Sequence, residues 1–197
     1  MNLFSVSVLG WISGLGFMNL AKIYASPENL ITIGYILNIW NVFLLLSTGI
    51  NAVYHPLVKK YIIQNRLDKA KVVKVKTFFI YLSITFLVYI TYFLIDTLAI
   101  FKEYEKINAV FSVIPYTLLL FLFSIFYYVT HPFYLANDKF GIFNSLNIFS
   151  HALWFLLVII LSFFGYENYI WFLVFLYFLK SITLFIYAEK KLMVIDN

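Results

Sequence analysis

The chain has 197 residues, of which 63% are hydrophobic and 12% charged, and its mean hydropathy is +0.92. A water-soluble domain carries about 25% charged residues because its surface must be solvated, and one short chain cannot hide this much apolar surface in a single core. The numbers imply lipid as the solvent.

The formal charge of +5 is concentrated. Seven of the 14 Lys and Arg residues fall between Lys59 and Lys76, opposed only by Asp68. Between two apolar spans such a run reads as a segment held beside anionic lipid at the cytoplasmic face, and not as a nucleic-acid site. The absence of Cys excludes disulfides and thiolate metal sites.

A membrane-spanning helix needs about 20 mostly apolar residues, because lipid offers the backbone no hydrogen bonds. The sequence predicts an all-α integral membrane protein: a single six-helix transmembrane bundle over 1–197, with spans at about 3–24, 31–55, 77–101, 109–132, 141–164 and 168–188. The first span has no Lys or Arg ahead of its apolar run from Leu3 to Ala21, which is longer than a signal-peptide core, so it reads as a retained helix. Gly10 and Gly14 are spaced for close helix approach. Asn19 and Lys22 follow toward the far end, where Lys22 either snorkels to the interface or meets an anionic head group. Ser26-Pro27-Glu28-Asn29 then supplies a turn into the second span.

That second span places Asn38, Asn41, Thr48, Asn51 and His55 on one helical face. A polar stripe in lipid is costly unless it lines a cavity or bonds one helix to another. Here the cavity is the favoured expectation. The basic connector over 59–76 mixes Lys with Tyr61, Ile62, Leu67, Val72 and Val73, as in a helix lying on the membrane surface, with a solvated loop as the alternative.

In the third span Asp96 lies near the outer end. In the fourth, Pro115 removes an amide donor and predicts a kink. His55-Pro56 and His131-Pro132 are both expected to end helices. The fifth span carries Asn144, Asn147 and His151 on one face. Lys180 stands inside the sixth, either reaching an interface or paired with an opposite charge.

Lys and Arg placement sets the orientation. Ten basic residues collect on one side (Lys59, Lys60, Arg66, Lys69, Lys71, Lys74, Lys76, Lys139, Lys190 and Lys191) against Lys102, Lys106 and Lys22 on the other. With six spans, this puts the N- and C-termini in the cytoplasm and the protein in the inner (plasma) membrane.

Enzyme constellations are not found. The sequence holds no His-Glu-x-x-His helix, no paired-Asp motif for nucleotide-activated substrates and no P-loop. Ser13 lies in the first span and the sixth has no His, which does not fit the six-span rhomboid proteases. The expectation is a non-enzyme without cofactor or metal.

Several stretches carry a resemblance. Asn19-Leu-Ala-Lys22-Ile-Tyr precedes a short Ser-Pro-Glu turn, and Ile33-Gly34-Tyr35-Ile36-Leu37 enters the second helix. That helix leaves through Asn51-Ala-Val-Tyr-His-Pro56-Leu-Val-Lys59 into a basic segment, and Ala136-Asn137-Asp138-Lys139 leads into a polar-lined fifth helix. The layout resembles the C-terminal six-helix half of the polysaccharide flippases (Wzx-like) of the multidrug/oligosaccharidyl-lipid/polysaccharide exporter superfamily. The resemblance implies alternating access between two six-helix bundles, each lining a central cavity with its first two helices. It implies a lipid-linked glycan as substrate, with Asn19, Lys22, Asn38, Asn41, Thr48, Asn51, His55, Asn147 and His151 as candidate cavity lining. Lys22 would attract a pyrophosphate head group, and the Asn side chains would hydrogen-bond sugars. The partners expected are membrane lipid and either a second six-helix half or a second copy of the chain. A small self-dimerising transporter or channel and an unrecognised membrane-embedded enzyme are the alternatives.

Overall fold

The computed structural model describes residues 23, 27–98, 105–164 and 169–193. The first expected span, with Gly10, Gly14, Asn19 and Lys22, lies outside the described residues.

Five helices account for nearly everything described: α1 (Pro27–Ile63), α2 (Leu67–Thr97), α3 (Glu105–Ala136), α4 (Phe140–Phe163) and α5 (Tyr169–Tyr187), followed by a π-turn at Ala188–Leu192. No strand occurs among the described residues. By length and apolar composition, three stretches can cross a membrane: Leu30–Ile63, Leu67–Thr97 and Phe111–Ala136. The described residues are all-α, and these three helices suit a lipid surrounding.

The helices run alternately up and down. α3 is the hub, packing against α1, α2, α4 and α5, while α1 also meets α2 and α4 meets α5. Its core forms two layers along the helix axes. In one, Ile36, Trp40, Phe43, Tyr81, Phe121, Ile125 and Tyr128 pack together; Phe43 stacks on Phe121 at 4.4 Å and Tyr81 on Tyr128 at 5.7 Å. The other joins Tyr54, Val58, Ala70, Phe133, Tyr134, Phe143, Leu184 and Met193.

The helices overrun the expected bounds at one end. At 1.5 Å per residue, the 37 residues of α1 span about 55 Å, well past a hydrocarbon layer about 30 Å thick. Residues 59–76, expected as a connector, are therefore the ends of α1 and α2 about a turn at 64–66. Once the chain leaves lipid, a helix no longer needs apolar residues, and Lys is a good helix former.

That turn is a Schellman motif. Asn65 sits at φ 53°, its amide donates to the Ile62 carbonyl, and the Arg66 amide donates to Tyr61. Asp138 repeats it between α3 and α4 at φ 55°, with the Lys139 amide on the Tyr134 carbonyl. Asn and Asp tolerate the left-handed region better than other residues with a side chain. Both turns lie at the end that gathers the basic residues, and the π-turn carries Lys190 and Lys191 there too. Lys74 of α2 pairs with Glu189 of this π-turn, which fastens the chain's last described residues to the hairpin.

Neither His-Pro pair ends a helix. Pro56 and Pro132 lie inside α1 and α3, which continue to Ile63 and Ala136, and Pro115 is likewise interior. A proline in a membrane helix is tolerated when neighbours take up the loosened backbone groups. Here the Tyr54 hydroxyl donates to the Val129 carbonyl at 2.6 Å, one residue along from the carbonyl that Pro132 leaves without an amide.

A buried polar seam as the candidate functional site

Some of the polar residues of the interior meet one another. Lys180 of α5 is 7% exposed, with its ammonium 4.0 Å from the Tyr177 ring centre and 5.1 Å from that of Tyr127 on α3. Tyr127 lies parallel to His131, one helical turn further along α3, with ring centres 6.0 Å apart. Nδ1 of His131 in turn lies 3.4 Å from Nε2 of His55 on α1. Lys180, Tyr127, His131 and His55 thus form one continuous seam across three helices.

Helix α4 closes its flank. Phe143 packs 4.8 Å from Tyr127 and 4.6 Å from His131, ring centre to ring centre. The Asn147 side chain, one turn beyond Phe143, donates to the Phe143 carbonyl at 3.0 Å. Asn144, 2% exposed, has both amide atoms unpartnered among the described residues. Burying a polar group without a hydrogen bond is costly, so this amide has unused capacity.

The hydroxyls of Ser47, Ser124 and Ser181 are also buried without a partner among the described residues, but five others behave differently. Thr85, Thr91, Thr117, Thr130 and Ser150 return their hydrogen bonds to carbonyls of their own helices, the usual way such side chains are satisfied in lipid. Lys180 is instead held against aromatic faces. Among the described residues no carboxylate comes within salt-bridge distance of it. An intramembrane cation costs about 2.5–3.5 kcal/mol on insertion scales, and the two aromatic faces offset only part of that.

The expected site residues divide. On α1, Asn38, Asn41 and Thr48 are exposed among the described residues, and the Thr48 hydroxyl bonds the Leu44 carbonyl. Asn51 and His55 turn inward: the Tyr81 hydroxyl donates to Asn51 Oδ1 at 3.1 Å, and His55 meets His131. The stripe is therefore split, three of its residues on the outer surface of α1 and two tied to neighbouring helices. Asn147 belongs to the seam. His151 lies on α4, and its side chain is outside the described residues, as are Asn19 and Lys22 altogether.

Sequence reasoning missed His131 and Tyr127 and left Lys180 undecided. The signal for Lys180 was present, since a Lys midway along an otherwise apolar span is a functional candidate by default. His131 was masked by the proline after it, and a Tyr among 16 carries no mark of its own.

Compared with known protein families, with curated proteins and with solved structures, the chain matches none of them.

Proposed function

We propose that this chain is one six-helix bundle of a transporter that moves an anionic, lipid-linked oligosaccharide across the inner membrane by alternating access, working with a second bundle. The observation that carries the reading is Lys180: a buried cation without a carboxylate partner among the described residues, beside the unpartnered Asn144 amide. A pyrophosphate linkage supplies the missing negative charge, and a glycan supplies partners for amides. The His, Tyr and Asn side chains around it belong to a polar path, which a transporter needs and a purely structural bundle does not. Three of the described helices are long and apolar enough to cross a membrane, and the Lys and Arg bias of the sequence favours the basic end on the cytoplasmic side.

Everted membrane vesicles test this. With the protein present, a lipid-linked sugar should become protected from an impermeant glycosidase, and Lys180→Gln should lower that rate at least tenfold. Equal protection with and without the protein would sink the reading. Orientation has its own test, made clean by the absence of Cys. Arg66→Cys should resist an impermeant thiol reagent in intact cells; labelling there would invert the topology.

The exposed Asn38, Asn41 and Thr48 favour a second reading, in which two copies of the chain meet through α1 and act as a small self-dimerising transporter. Crosslinking between Cys residues placed at Asn41 in two copies supports it; a monomer that still moves substrate excludes it.

A further inference from the structure

His55 and His131 approach each other from separate helices, and each precedes a proline. The contact is a nitrogen-to-nitrogen one, so one ring must donate and the other accept. It holds while only one of the two facing nitrogens carries a proton, as in the neutral pair or with one ring charged. When both rings are protonated, two donors and two positive charges face each other.

The surroundings offer no relief for a second charge. On α1, Tyr54 lies beside His55, with ring centres 6.2 Å apart, and Lys59, one turn on, is exposed. From α3 comes Tyr127, stacked on His131. From α4 come the apolar rings of Phe140 and Phe143, with exposed Lys139 at its entrance. α5 brings Lys180, a cation, to 5.1 Å from the Tyr127 ring centre. α2 brings Tyr81, engaged with Ser47 and Asn51, and Lys74, engaged with Glu189 of the π-turn. Among the described residues no carboxylate lies within salt-bridge distance of either ring.

Beyond the pair, α1 and α3 have weak points in register. Pro56 and Pro132 each remove one helical hydrogen bond directly after the His, so the arms 57–63 and 133–136 can pivot there more easily than elsewhere.

We infer that His55 and His131 form one proton-binding site bridging α1 and α3, and that filling it parts the two helices at their prolines on the basic side of the bundle. The neutral or singly protonated pair is the latch, and the doubly protonated pair is the open joint. A proton gradient can then drive movement of these arms whatever cargo the bundle carries, so the inference stands apart from the nature of the substrate.

The test uses the full chain in lipid nanodiscs, with spin labels on Lys60→Cys and Leu135→Cys, both exposed positions past the prolines. As pH falls, a longer distance population should grow at the expense of the short one. In His55→Gln/His131→Gln, which keeps hydrogen-bonding amides without a titrating ring, the distances should stay constant with pH. Wild-type distances that ignore pH would overturn the inference, and so would a pH response that survives in the double variant. If the double variant fails to fold, ring-nitrogen NMR decides the matter in a His151→Gln background, where only the pair remains. Two coupled steps support the site, because interacting rings titrate as a pair. Independent single steps for the two rings refute it.

Discussion

Helices α2 and α3 have 31 and 32 residues, and both are apolar enough to cross a bilayer, yet they occupy opposite situations. In the most apolar stretch of α2 only 11% of residues are buried, against 56% in α3. What α2 turns inward is its least apolar face: Ala70, Lys74, Thr77, Tyr81 and Thr85, at steps of four and three. Phe79, Phe86, Leu87, Phe93 and Leu94 point out. In water this would be inside-out. In lipid it is the expected arrangement, since hydrocarbon is as apolar as Leu and gives helices no hydrophobic reason to associate. Packing and hydrogen bonds must hold the bundle, and α3 shows how: it packs against all four other described helices and contributes to both core layers.

The largest difference should appear on removing an aromatic ring. Phe121→Ala, which vacates a site between Phe43 and Tyr81, should cost about 3 kcal/mol in reversible unfolding from mixed micelles. Phe86→Ala, on the lipid face of α2, should stay within about 0.5 kcal/mol of wild type. Equal losses would mean that the two helices do not differ as described.

A smaller effect separates hydrogen-bonded tyrosines from exposed ones. Tyr54 donates to Val129 and Tyr134 donates to the Leu184 carbonyl at 2.7 Å. Each Tyr→Phe change should cost about 1 kcal/mol. Tyr89→Phe on the exposed face of α2 should cost nothing measurable by the same assay.

The finest distinction concerns Lys74 and Glu189. Half of this pair is only partly covered, so a double-mutant cycle with Lys74→Met and Glu189→Gln should give a coupling of about 0.5 kcal/mol. A coupling of zero would show that Lys74 is held by Phe185 and Met193 alone.

Hydropathy made the all-α, lipid-embedded character legible, because the length of an apolar run is a direct measure of the layer it must cross. It could not show where helices stop. The Lys-rich residues 59–76 lower hydropathy without lowering helix propensity, so α1 and α2 pass through what looks like a connector. Likewise Pro132 reads as a stop, although in a bilayer the backbone has nothing to turn to except its own helix and its neighbours. The seam was half legible: His55, Asn144 and Asn147 stand on recognisable polar faces, whereas His131 and Tyr127 become a site only when α3 meets α1 and α4. Which residue faces which is a property of the packing, and one chain's periodicity does not contain it.

The turn at Asn65 bears on how such a chain enters a membrane. Three residues separate α1 from α2, and the turn's hydrogen bonds are all local. The pair can therefore leave the insertion machinery as a finished hairpin, before α3 has been synthesised. Within that hairpin the Tyr81 hydroxyl already reaches the Ser47 carbonyl and Asn51, so part of the polar face of α2 has partners while the molecule is still incomplete. Lys74 must wait for Glu189, which arrives last. Until then it stands near the basic end, within reach of head groups. On this face of α2, order of synthesis and depth in the bilayer thus agree: Tyr81 is satisfied within the hairpin, and Lys74, which must wait, is placed where water can hold it.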